Sequence, residues 1–175
     1  MRLAVSALCV SLAMLAACGQ SNQATGDQPA AASEDMPMVA VPLPKDKALQ
    51  VMHVRHEGME AMGKSAKAIA RQLKSGSPDL GVIRSSSGAI TSFAPKIASL
   101  FPAGTGPDVG KTGAKTEIWQ TPQDFAAKAH DFERATQAFG LAVQGNDVNA
   151  IKASFGNLGK DCKACHDKYR AEMHH

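Results

Sequence analysis

Residues 148–170 read VNAIKASFGNLGKDCKACHDKYR, and both the fold class and the chemistry of the chain follow from this stretch. Val148, Ile151, Phe155, Leu158, Cys162, Cys165 and Tyr169 recur at three- and four-residue steps, the spacing of one apolar helix face. That face contains both cysteines and His166 follows directly, so a C-x-x-C-H motif lies in line with the helix's core-facing residues. Two cysteines three residues apart stand on neighbouring turns of a helix. Each thiol can add across one vinyl group of a haem to give a thioether, and the adjacent imidazole is a good neutral ligand for haem iron. A dithiol redox pair would need a strand-to-helix setting and a zinc site a second pair of ligands, and the sequence offers neither. The expected cofactor is one covalently attached haem c, bound through Cys162 and Cys165, with His166 as the proximal axial ligand.

Upstream, Gly145-Asn146-Asp147 makes a short turn, which implies that the preceding helix runs antiparallel to the last. That helix is set to begin at Thr121-Pro122-Gln123-Asp124, an N-cap, a first-turn proline and an acidic third position, and to run to about Gln144. Its stripe is Phe125, Ala129, Phe132, Thr136, Phe139 and Val143. Residues Phe101 to Thr116 form a Gly/Pro-rich crossing loop, long enough that it should wrap the bundle. A second helix is predicted from about Pro78 to Ser99, kinked at Pro95 and weakened between Ser85 and Gly88. The first spans about Asp46 to Lys74, with Met52, His56, Met59, Gly63, Ala66, Ala70 and Leu73 as its repeating face. The fold class is all-α: an antiparallel four-helix bundle over residues 46–175, with haem attached near its carboxyl terminus. A single Trp and a single Tyr among many small apolar residues agree with helices more than strands.

The amino terminus reads MRLAVSALCVSLAMLAAC: a basic start, a short apolar run, then small residues before Cys18. The run is too short to span a bilayer, so residues 1–17 are expected to be an export signal. L-A-A-C has the form of a bacterial lipobox, which makes Cys18 a lipidation site and the membrane a partner through that anchor. Gly19 in place of Asp points to the outer membrane; the alternative is a soluble periplasmic protein cut at the same bond. Residues 18–45, rich in Gln, Ala, Ser, Asp and Pro, read as a flexible tether with a reach of roughly 25 to 30 Å. The cysteines are then fully used: Cys9 leaves with the signal, Cys18 takes lipid, and Cys162 and Cys165 take haem.

The formal charge of +3 falls to +2 without Arg2, and two haem propionates would about cancel it, so no nucleic-acid partner is expected. Lys160, Lys163, Lys168 and Arg170 surround the haem motif, either as a solvated face or as a guide for an acidic redox protein. His53-Val-Arg-His56 lacks the H-E-x-x-H pattern of hydrolytic zinc, and no nucleophile elbow, phosphate loop or positioned carboxylate pair suggests an enzyme.

The chain from about Lys47 to Met173 resembles the class II c-type cytochromes, the cytochrome c′ family, through several features together. These are the late C-K-A-C-H followed by Tyr169 and Arg170, Glu117-Ile118-Trp119 before the third helix, and Arg55 with Met59 one turn later. The resemblance implies that Cys162, Cys165 and His166 are the thioether cysteines and proximal ligand. It also implies that Arg55 pairs with a haem propionate and that Arg170 is the basic residue beside the proximal His. The sixth coordination position stays open. An apolar residue at the place of Met59 would leave five-coordinate iron that binds NO or CO; a ligating Met59 belongs to low-spin relatives and to electron transfer. Met59 is the leading candidate here, with no protein ligand, or Met62 or a histidine, as alternatives. The expected function is single-electron carriage in the periplasm between redox partner proteins, with a five-coordinate NO/CO binder as the alternative, as monomer or homodimer.

Overall fold

The computed structural model describes residues 43–172. The first 42 residues, with the signal, Cys18 and nearly all of the tether, and His174 and His175 lie outside them. Five helices occur among the described residues: α1 (Lys45–Lys74), α2 (Leu80–Phe93), the single-turn α3 (Glu117–Gln120), α4 (Pro122–Gln144) and α5 (Val148–Tyr169). The four long ones form the bundle, α1 packing on α2, α2 on α4 and α4 on α5. No helix among the described residues is long and apolar enough to cross a membrane.

Asp147 shows why α5 begins where it does. Its carboxylate accepts hydrogen bonds from the Asn149 and Ala150 amides, which would otherwise lack partners in the first turn. Asp79 does the same for α2, accepting from Gly81 and Val82. Asn146, in the left-handed region at φ 59°, makes the turn between α4 and α5 tight enough for an antiparallel pair. All six stripe residues of α4, from Phe125 to Val143, are buried. On α5, Ile151, Leu158 and Tyr169 are buried and Phe155, Cys162 and Cys165 pack half-buried against the same core.

Three expectations need correction. The second helix is not a kinked rod to Ser99: α2 stops at Phe93, and two 3₁₀ turns (Ala94–Lys96 and Ala98–Leu100) follow. Pro95 has no N–H to continue the α-helical ladder, so the chain tightens into i→i+3 bonds. Thr121 does not cap α4; its hydroxyl donates back to the Glu117 carbonyl (2.9 Å) and lies 2.9 Å from the Tyr169 hydroxyl. The face of α1 is also turned by one residue at three places. Its inner row is Ala48, Met52, Arg55, Met59, Met62, Ala66, Ile69 and Leu73, whereas His56 and Gly63 are exposed and Ala70 is half-buried. Arg55 belongs to the core row despite its charge, a placement that a polarity pattern counts the wrong way.

The crossing loop wraps the bundle and is tied down at both ends of its path. Residues Leu100, Thr105 and Thr112 receive hydrogen bonds from Arg55 on α1. Gly113 to Lys115 run antiparallel to the end of α5, the Lys115 amide donating to Tyr169 O (2.9 Å) and the Ala171 amide to Gly113 O (2.8 Å). One strap therefore connects α1 to the end of α5.

Candidate functional site

On α5, Cys162, Cys165 and His166 are all half-buried, and the two thiols are not bonded to one another. Burial raises the Cys162 thiol to about 11, with the charge of Asp161 adding to it, and it raises Cys165 as well. Such thiols stay protonated at neutral pH, unlike the low-pKa thiolate of a dithiol-exchange pair. Burial, helped by the charge of Arg170, lowers His166, so its imidazole is neutral and has a lone pair to give. The donor set therefore suits two thioethers and one axial nitrogen. Arg170 is exposed at the C-cap of α5 and joins His166, Asp167 and Lys115 around one surface hollow.

Facing residues come from α1, α2 and the loop. Met59, Met62 and Ala66 of α1, Phe93 of α2, Phe101 and Trp119 all pack half-buried on the core that takes up Cys162 and Cys165. These apolar side chains and the donor set fit a haem between α1 and α5. His53 and His56 do not contribute: they are 68% and 61% exposed and pair along the helix with Glu57 (3.2 Å) and Glu60 (3.6 Å). Among the described residues no cluster of three or more His, Cys, Asp or Glu side chains forms an additional metal site.

Arg55 is 4% exposed and, among the described residues, pairs with no carboxylate. One terminal nitrogen donates to Leu100 O (3.3 Å) and Thr105 Oγ1 (3.1 Å), the other to Thr105 O (2.8 Å) and Thr112 Oγ1 (2.9 Å). The guanidinium also lies over Phe101 at 4.6 Å and near Trp119 at 5.8 Å. Desolvation lowers its pKa to about 10, still cationic at neutral pH. A buried cation held by neutral groups suits an anion brought by the cofactor. Thr105 and Thr112, 50 and 57 residues from Arg55, carry no local signal in the sequence. Gly58 is another participant that sequence reading passed over. A Cβ there would lie 1.9 Å from Phe93 Cζ, so only glycine lets that ring rest on α1 beside Met59. Its one signal was a glycine inside a long helix.

The lysines of α5 are less available than their spacing suggests. Lys163 pairs with Asp167, Lys168 with Asp124 (2.9 Å), and Lys160 bonds Asn157 (3.1 Å).

A sequence model of the family described as Cytochrome C′ matches residues 50–170. The chain belongs to the cytochrome c′ family. It is 30% identical over 124 residues to the cytochrome c′ of Allochromatium vinosum, spanning 69% of this chain and 80% of that protein. The crystal structure of cytochrome c′ from Thermochromatium tepidum superposes with a TM-score of 0.66 at 28% identity, over 75% of this chain and all of that one. A mutant of the cytochrome c′ from Alcaligenes xylosoxidans, solved as its nitric oxide complex, shares the fold with a TM-score of 0.64. It is 23% identical over 75% of this chain and all of that one. As a cytochrome c′, the chain is a haem protein with one covalently attached haem c.

Proposed function

We propose that this chain captures a small diatomic gas, nitric oxide or carbon monoxide, on the face of haem turned away from His166. Cys162 and Cys165 hold the group, His166 ligates the iron, and the cationic guanidinium of Arg55 supplies the positive charge that favours a propionate. When bound, the haem supplies an iron centre that takes such gases. The chain's residues fix its position, shield one side and leave the other apolar. The carrying observation is the inner row of α1: Met59, Met62 and Ala66, with Phe93 beside them, present no nitrogen or oxygen ligand, and both nearby histidines face solvent. The nitric oxide complex of the Alcaligenes relative supports the same reading. No catalytic turnover is needed for it.

Electron carriage is the second reading, favoured by one specific feature. Met59 lies on the inner row one turn after Arg55, where its thioether can reach a haem. Absorption spectroscopy separates the two. A high-spin ferric spectrum unchanged in Met59→Ala, with ferrous protein that takes up CO or NO, supports gas capture. A low-spin spectrum with a sulfur-to-iron charge-transfer band that disappears in Met59→Ala overturns it in favour of the carrier.

The haem motif and the apolar leader support a location outside the cytoplasmic membrane, and lipidation of Cys18 is the proposed means of attachment. Mass spectrometry of the mature amino terminus tests this, an unmodified Cys18 ruling the anchor out. Another cytochrome c′ of the same fold, 26% identical with a TM-score of 0.66 over 75% of this chain and all of that one, shows ligand-controlled dimer dissociation. Sedimentation with and without CO asks whether this chain does the same.

A further inference from the structure

Tyr169 is the only tyrosine in the chain and is 3% exposed. Nothing in gas capture uses it. Its hydroxyl donates to Asp124 Oδ2, with Thr121 Oγ1 at 2.9 Å and Lys168 Nζ bonded to the same carboxylate oxygen at 2.9 Å. The ring lies one helical turn beyond Cys165 on the same face of α5, where side chains four residues apart are neighbours. It meets Phe125 edge-on at 5.2 Å, and Phe125 meets Phe101 at 4.7 Å. A buried phenol beside a thioether cysteine and hydrogen bonded to a carboxylate is the arrangement from which an electron and a proton can leave together by different routes.

We propose that Tyr169 is redox-active: it passes one electron to haem oxidised by a hydroperoxide and its phenol proton to Asp124. This rests on the assignment of Cys165 as a thioether to haem. Hydrogen peroxide accepts two electrons and two solvent protons to become two waters, and the O–O bond breaks. The haem centre gives one electron and Tyr169 the other. The phenol O–H bond breaks, its proton forms an O–H bond on Asp124, and a neutral phenoxyl radical remains. An external one-electron donor then reduces the radical as Asp124 returns the proton. A phenol radical cation is a far stronger acid than a carboxylic acid, so the transfer runs downhill. Lys168 Nζ, 5.3 Å from the ring centre, further disfavours a positive charge there. Asp124 is 44% exposed at its side chain and can exchange its proton with water. The device would give oxidising equivalents an exit away from the haem ring.

Freeze-quench electron paramagnetic resonance of the haem-loaded protein after hydrogen peroxide tests this. An organic radical is expected whose hyperfine splitting collapses when the chain is made with ring-deuterated tyrosine; with one tyrosine, that identifies Tyr169. In Asp124→Asn, whose amide oxygen can still accept the hydrogen bond, the radical yield should fall by roughly a factor of ten or more because the proton acceptor is gone. A second arm uses flash-photolysed ruthenium tris-bipyridine with persulfate, which delivers oxidising equivalents whether or not a haem face is open. A protein that forms no organic radical with peroxide overturns the proposal; a tyrosyl radical in this second arm alone then shows that the ring can be oxidised but that haem does not deliver the oxidising equivalent, a result that leaves gas capture to its own test. An organic radical insensitive to tyrosine deuteration, no organic radical in either arm, or an undiminished yield in Asp124→Asn overturns the proposal.

Discussion

The two helices proposed to flank the haem are built on different kinds of information. On α5, cap, packing row and ligands lie within one continuous stretch: Asp147 starts the helix, Ile151, Leu158 and Tyr169 bury it, and Cys162, Cys165 and His166 follow from the same register. On α1 the row is legible only through partners far along the chain. Arg55 is buried because Thr105 and Thr112 meet it, and Gly58 is required because Phe93 covers it. Attachment chemistry is thus local, whereas the surroundings that decide what the iron does depend on tertiary contacts.

The largest effect that tests this contrast is on the α5 side. Cys162→Ala with Cys165→Ala should abolish covalent attachment, so that haem leaves the polypeptide under denaturing conditions; haem staining of a denaturing gel reads the outcome. Haem retained there would mean that attachment lies elsewhere and that the local reading of α5 is wrong. Each single variant should keep one thioether and one stainable band.

Arg55→Ala comes next. It removes three hydrogen bonds from α1 to the crossing loop and one to Leu100 just before it, and leaves the buried Thr105 hydroxyl and carbonyl without that donor. The expected loss is roughly 2 to 4 kcal/mol, because each orphaned buried polar group costs about 1 to 3 kcal/mol. Denaturant unfolding of the haem-loaded protein measures it. A loss no larger than that of an exposed substitution would mean that the strap does not depend on α1. Arg55→Lys should recover little, since one ammonium cannot reproduce the two-nitrogen fork.

Gly58→Ala is sharper in sign than in size. Inside an unconstrained helix this change stabilises, since glycine costs about 0.5 to 1 kcal/mol relative to alanine. Here the added Cβ meets Phe93 at 1.9 Å and the ring must move, so a net loss of roughly 1 to 3 kcal/mol is expected. Thermal melts of Gly58→Ala and the double variant with Phe93→Leu make the cycle: the smaller side chain should relieve the penalty. A stabilising Gly58→Ala would show that the ring's seat on α1 is unimportant.

What the sequence carried follows the same division. The α4 stripe was readable residue by residue because Phe125, Ala129, Phe132, Thr136, Phe139 and Val143 all sit on one face with nothing polar but Thr136, whose hydroxyl donates to Glu133 O (2.7 Å). The row of α1 was displaced because polarity favoured His56 over Arg55, and only the loop's acceptors make a buried guanidinium tolerable. A proline inside an apolar run is equally the mark of a kink or of an end, and in α2 the missing N–H of Pro95 ends the helix. Thr121 looked like a cap by its neighbours in sequence, but Tyr169, 48 residues away, lies at its hydroxyl.

The smallest effect concerns the place where α4 and α5 are joined. The Tyr169 hydroxyl, then Lys168, hold the Asp124 carboxyl below its ordinary range. Its pKa is therefore lower in the folded protein than in the unfolded chain. The contribution is fully present above the unfolded value and is lost as pH falls through the folded one. Wild type and Asp124→Asn should accordingly differ in melting temperature at neutral pH and converge in acid. Salt should shrink only the Lys168 part, because that ammonium and the carboxylate are exposed, whereas the Tyr169 O–H bond is buried on the phenol side. Tyr169→Phe, which keeps the ring against Phe125, should narrow the neutral-pH difference even at high salt. A constant gap between wild type and Asp124→Asn from neutral to acid would mean that the carboxylate's charge does not hold α4 and α5 together.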